Sequence, residues 1–147
     1  MKRLFPLVLL GVTAVTPAQA RMVRGCVSST DGPLTFTVDS VDCRKELTRV
    51  YGRLEGRPHT SSRIDAVTLV TDKTPLRECT DMDGVDFNRY FQWEDDGTIN
   101  VELDFGPVRN GESGQLTFTT PLGKSVTDWR PAPKAVKSGK NKNKKRR

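Results

Sequence analysis

The chain has 147 residues, a formal net charge of +6, 29% charged and 35% hydrophobic residues, and three cysteines. That length suits one domain with a real core and argues against two. The charge is unevenly placed: residues 21–133 carry 14 basic and 18 acidic side chains, whereas 134–147 carry eight basic and no acidic ones. The positive balance is therefore no ground for a nucleic-acid-binding fold, and the body of the protein is acidic.

The first twenty residues read as a cleaved secretory signal. Lys2 and Arg3 precede an apolar run from Leu4 to Val15, and Ala18-Gln19-Ala20 supplies the small-x-small cleavage pattern. The run is shorter than the ~20 residues a membrane span needs, and no later stretch approaches that length. The expected location is outside the cytoplasm, in the periplasm, at the cell surface or in the medium. In such an oxidising compartment Cys26, Cys43 and Cys79 are disulfide candidates, with one bridge and one spare thiol expected and the pairing left open. No C-x-x-C spacing is present, which argues against a redox dithiol or a zinc knuckle.

After the leader, Met22 to Ser29 is β-prone and ends at the turn signal Thr30-Asp31-Gly32-Pro33. Leu34, Phe36 and Val38 then alternate with Thr35, Thr37 and Asp39, the pattern of a half-buried strand. A polar connection through Cys43 to Glu46 leads to a partner strand, Leu47 to Leu54. The loop from Arg57 to Arg63 holds His59, the only histidine, beside Ser61 and Ser62. A nucleophile and its base must converge at hydrogen-bond distance, which neighbours in an extended loop rarely do, so no catalytic residue is assigned.

Ile64 to Val70 and Leu76 to Thr80 read as two further strands around Thr71-Asp72-Lys73-Thr74-Pro75. Val85 to Trp93 is the one stretch with room for a turn or two of helix. Ile99, Val101, Leu103 and Phe105 alternate strictly, and Gln115 to Thr120 and Ser125 to Trp129 complete the set. Short strands at such spacing, separated by turn signals, predict an all-β antiparallel sandwich of seven to nine strands, immunoglobulin-like in architecture, over residues 21–130. Residues 131–147 open with Pro131-Ala132-Pro133 and continue as a Lys-, Asn- and Gly-rich segment that lacks the apolar content to collapse, so a disordered tail is expected.

One family resemblance rests on Arg89-Tyr90-Phe91-Gln92-Trp93-Glu94-Asp95-Asp96-Gly97 followed by Ile99 to Phe105, Gly106 and Pro107. An aromatic segment, a glycine turn and a strand ending in Phe-x-Pro resemble exported bacterial immunoglobulin-like domains of unknown function. The resemblance implies a sandwich and an envelope location, and it carries over no functional residues.

Three constellations are candidates for chemistry. Asp81, Asp83 and Asp86 surround Gly84, and residues 78–104 hold nine acids against one arginine. Ca²⁺ favours such oxygen ligands around a sharp turn, but an EF-hand register puts Cys79 and Tyr90 at two ligand positions. Tyr90, Phe91 and Trp93 form either a binding platform or a plug for the end of the sandwich. Lys134, Lys137, Lys140, Lys142, Lys144, Lys145, Arg146 and Arg147 form a polyanion-binding strip, with salt-sensitive and sequence-independent contacts to an anionic envelope polymer or membrane surface. No aromatics interleave with these cations, so base stacking and sequence-specific nucleic-acid recognition are not expected. The reading is a non-enzymatic exported binding or accessory module of the bacterial envelope, with no obligate cofactor and a protein partner not identified. A calcium-stabilised adhesion or structural domain and a small hydrolase using His59 or the acidic stretch are the alternatives.

Overall fold

The computed structural model describes residues 21–109 and 113–133. The expected leader and the basic segment from residue 134 onward lie outside the described residues.

The described chain is all-β and antiparallel. Its strands are β1 (Arg21–Arg24), β2 (Cys26–Asp31), β3 (Thr35–Cys43), β4 (Thr48–Glu55), β5 (Ser61–Arg63), β6 (Ala66–Thr71), β7 (Arg77–Asp83), β8 (Tyr90–Gln92), β9 (Thr98–Phe105), β10 (Gly114–Thr120) and β11 (Gly123–Pro131). Nine of them form one sheet in the order β1-β3-β4-β9-β7-β6-β10-β11-β2, and β5 pairs with β8 as a separate ribbon. Eleven strands exceed the seven to nine expected for two reasons. Gly25, at φ +62°, breaks the run from Met22 to Ser29 into β1 and β2. The segments read as a polar loop and as possible helical turns instead pair with each other, Ser62 opposite Phe91.

The sheet is nearly barrel-shaped because its two edge strands, β1 and β2, are consecutive in the chain and share the corner at Gly25. β1 pairs with the C-terminal half of β3, from Ser40 to Cys43. The N-terminal half of β3 faces β2 and is held there by hydroxyl groups. The Phe36 amide donates to Thr30 Oγ1 (3.2 Å) and the Val38 amide to Ser28 Oγ (3.0 Å). Just before β3, the Leu34 amide donates to Ser125 Oγ (2.8 Å). Three alternate N–H groups that would otherwise need a neighbouring strand are thus satisfied by side chains, as buried backbone donors must be. The other thin junction is between β6 and β7, where only Thr68–Glu78 and Leu69–Arg77 are in register.

The inner faces follow the alternation in the sequence. Phe36, Val38, Val50, Leu54, Leu69, Val101, Leu103, Phe105, Leu116, Phe118 and Trp129 are all buried in one core. Phe36 and Phe118 meet across the interior with ring centroids 4.9 Å apart. Each such aromatic contributes roughly 1.5–3 kcal/mol by leaving water. Two positions on and beside β4 admit no side chain. A Cβ on Gly52 would lie 2.3 Å from the Phe36 ring, and one on Gly56 2.1 Å from the Trp93 indole. Both rings lie directly over backbone, which lets large aromatics fill a narrow interior.

The three cysteines are free thiols, which corrects the expected bridge. Cys43 on β3 is opposite Thr48, Thr48 is opposite Phe105, and Phe105 is opposite Cys79 on β7. Three interstrand steps, ~14 Å along the sheet, separate two side chains that can be bridged only within ~7 Å between Cα atoms. Cys26 opens β2 just past the Gly25 corner, opposite Pro131, and its Sγ donates to the Val23 carbonyl of β1. Burial raises all three thiols above their ordinary range, Cys79 to about 11. At neutral pH they are protonated, and a thiol lacks the nucleophilicity of a thiolate.

Candidate functional site

The ribbon β5–β8 lies across one end of the barrel, with Trp93 packed over Gly56 just past the end of β4, and backbone hydrogen bonds extend its own pairing on both sides. The Asn88 amide donates to the Ile64 carbonyl, the Trp93 amide to Thr60 and the His59 amide to Trp93. The Asp65 amide donates to the Thr119 carbonyl, anchoring the following loop to β10. Alternation along β8 and just beyond it then decides the fate of the aromatic segment. Trp93 is 1% exposed and its indole N–H donates to Ser62 Oγ at 2.9 Å. Phe91 is half-buried and meets Trp93 edge-on at 5.1 Å. Tyr90 points the other way and is 65% exposed.

The sequence alternatives of plug and platform are therefore divided between neighbours. Phe91 and Trp93 close the barrel, while Tyr90 alone of the three presents its ring to solvent. Tyr90 borders a cleft of about 170 Å³ whose rim includes Pro33, Arg63, Thr120, Pro121 and Leu122. Leu122, at the tip of the β10–β11 turn, is 86% exposed. The Arg63 guanidinium stacks 5.1 Å from the Tyr90 centroid and is held by two hydrogen bonds to Asp65, at 2.7 and 3.1 Å. An aromatic face fixed by a clamped cation and faced by an unsupported leucine suits an apolar or amphipathic ligand. Leu122 and Pro33 were invisible as site residues in the sequence because each lies in a turn signal, and only the meeting of two hairpin turns brings them together.

The other sequence candidates are placed as follows. His59 Nε2 lies 3.1 Å from Asp95 Oδ1, whereas Ser62 is engaged by the Trp93 indole. Histidine and serine thus face different partners. Asp81 and Asp83 belong to strand β7 rather than to an acidic loop, and Asp86 lies beyond Gly84, 3.5 Å from Arg89. Among the described residues no three His, Cys, Asp or Glu side chains are grouped to hold a metal ion. The eight tail cations lie outside the described residues.

The outer surface of β3, β4, β9 and β7 carries the other polar arrangement. In one row Arg49 makes two hydrogen bonds to Asp104, at 2.7 and 2.9 Å, and that contact holds the Asp104 carboxyl below the usual carboxylate range. In the adjacent row Asp83 is opposite Glu102, and Glu102 opposite Tyr51. Asp39, the extra residue of the bulge between Val38 and Ser40, completes the lining of a shallow groove of about 370 Å³. No ion pair engages Asp39, Asp83 or Glu102 among the described residues.

No family model matches the chain, and neither the curated proteins nor the solved structures compared with it match at a significant level.

Proposed function

We propose that this protein is an exported, non-enzymatic binding module of the bacterial envelope, immunoglobulin-like in architecture. The hydroxyl-stitched junction between β2 and β3 and the two-pair junction between β6 and β7 support the finer architecture. They divide the nearly closed sheet into halves of the kind a sandwich packs face to face. The observation that carries the binding reading is the cleft at the ribbon end, where Tyr90 and Leu122 are exposed on a frame of tight turns. Exposed apolar side chains gathered at one cleft, rather than scattered singly, mark contact sites. The basic segment supplies a second contact, to anionic polymer or lipid headgroups.

Two measurements test this reading. Every described strand ends by Pro131, so a chain stopping at Pro133 keeps them all. On phosphatidylglycerol-containing vesicles at low salt that shortened chain is expected to bind at least about a hundredfold more weakly than the mature chain, at roughly 1 kcal/mol for each basic residue near the surface. Equal binding removes the tail contact. For the cleft, mature wild type and Leu122→Asp are compared side by side on envelope extracts at high salt. A species retained by the wild type and lost with the variant supports the reading, and identical retention overturns it.

A further inference from the structure

The described chain ends at one end of the row that crosses the acidic groove. At the end of β11 the Ala132 amide donates to the Gly25 carbonyl at 3.1 Å, which fixes the departing chain at the corner between β1 and β2. The next residue back, Arg24, is opposite Ser40, Ser40 opposite Tyr51, Tyr51 opposite Glu102, and Glu102 opposite Asp83. A single row of the sheet thus runs from the departure point across the groove lined by Asp39, Tyr51, Asp83 and Glu102. Four interstrand steps amount to ~19 Å. The 14 residues from Lys134 to Arg147 reach up to ~46 Å when extended, more than enough to cross the row with several cations in hand.

We propose that the segment 134–147 docks in this groove on its own chain, and that anionic polymer or lipid competes with the groove for the same cations. This rests on the reading of the segment as a polyanion contact and adds its regulation. The charges are complementary: the groove carries three carboxylates without an ion pair among the described residues, and the segment carries eight cations and no acid. The adjacent row shows what saturation looks like, because there Arg49 already occupies Asp104. Exposed pairs are individually weak and screened by salt, so the dock holds at low ionic strength and yields to a denser array of negative charge.

The test uses the mature full chain. Zero-length carbodiimide coupling of lysine amines to carboxylates, mapped by mass spectrometry, is expected to join lysines of 134–147 to Asp39, Asp83 and Glu102 within one chain, and to fade at high salt. Links between two chains, or links spread evenly over the exposed acids, overturn the dock. For the competition, the variant Asp39→Asn/Asp83→Asn/Glu102→Gln is compared with a charge-matched control, Asp31→Asn/Glu46→Gln/Glu94→Gln, on phosphatidylglycerol vesicles. The groove variant is expected to bind about threefold to tenfold more tightly than the control, since three weak pairs no longer hold the segment back. Equal affinities overturn the competition. Groove-specific links together with no vesicle binding by the full chain keep the dock and overturn only the polyanion reading.

Discussion

Strand β4 faces two different environments. Its inner side, Thr48, Val50, Gly52 and Leu54, is buried, and there shape rules. Its outer side, Arg49, Tyr51, Arg53 and Glu55, is half-buried and governed by charge. The inner side has no slack: Phe36 lies on Gly52 so closely that one added carbon collides with the ring. The outer side tolerates change, and within it one row is neutralised by arginine while the next is left acidic. A strand can thus be rigid on one side and adaptable on the other, as the proposed binding module would require.

Three substitutions test that contrast in descending order of effect. Gly52→Ala forces the Phe36 ring or the Thr37 carbonyl to move, both being within 2.5 Å of the new carbon. A loss of about 3 kcal/mol is expected in chemical denaturation, the upper part of the usual range for overpacking. A loss under about 0.5 kcal/mol would mean that the inner side is not shape-limited.

Arg49→Ala removes the two hydrogen bonds to Asp104 and is expected to cost about 1 kcal/mol at pH 7 and low salt, since both side chains are partly exposed. The pH dependence has a definite sign. The Asp104 carboxyl is held below its ordinary value in the folded protein, so its contribution is fully present above the unfolded value near 4. It is lost as the pH falls through the lower folded value. The gap in stability between wild type and Arg49→Ala should therefore be constant at neutral pH and close below about pH 4. A gap that stays open there would show that Arg49 acts through its packing alone.

Glu102→Gln, in the unpaired row, should change stability by less than about 0.5 kcal/mol. The chain ending at Pro133 sharpens this: there the same substitution should be neutral or slightly stabilising at low salt, because it removes the like charge opposite Asp83 and no tail remains to lose a partner. A large loss in either background would show that Glu102 supports the fold rather than the surface.

Much of the frame was legible in the sequence. The strict alternation from Ile99 to Phe105 became β9 with Val101, Leu103 and Phe105 inward, and Phe36, Val38, Leu116 and Phe118 followed the same rule. A period of two encodes burial without knowledge of which strand lies alongside. The candidate site was less legible. Tyr90, Phe91 and Trp93 stood out, but whether each closes the core or meets solvent depends on the ribbon with Ser61–Arg63, a pairing across nearly thirty residues. The disulfide expectation failed for a related reason: cysteine count and compartment set what is permitted, while separation across the sheet sets what forms.

The sequence by itself determined that the body is β-built, that alternation assigns most of the core, and that the acids and the cations are segregated along the chain. Local chemistry suffices for these, because strand periodicity, turn residues and charge are properties of neighbours. Only the tertiary structure decided that β1 and β2 meet as the two edges of one sheet, that hydroxyls close the gap between β2 and β3, and that Leu122 comes to share a cleft with Tyr90. It also set the point where the chain leaves the barrel at the head of the row that crosses the acidic groove. These depend on register between strands distant in sequence, which no short-range pattern specifies.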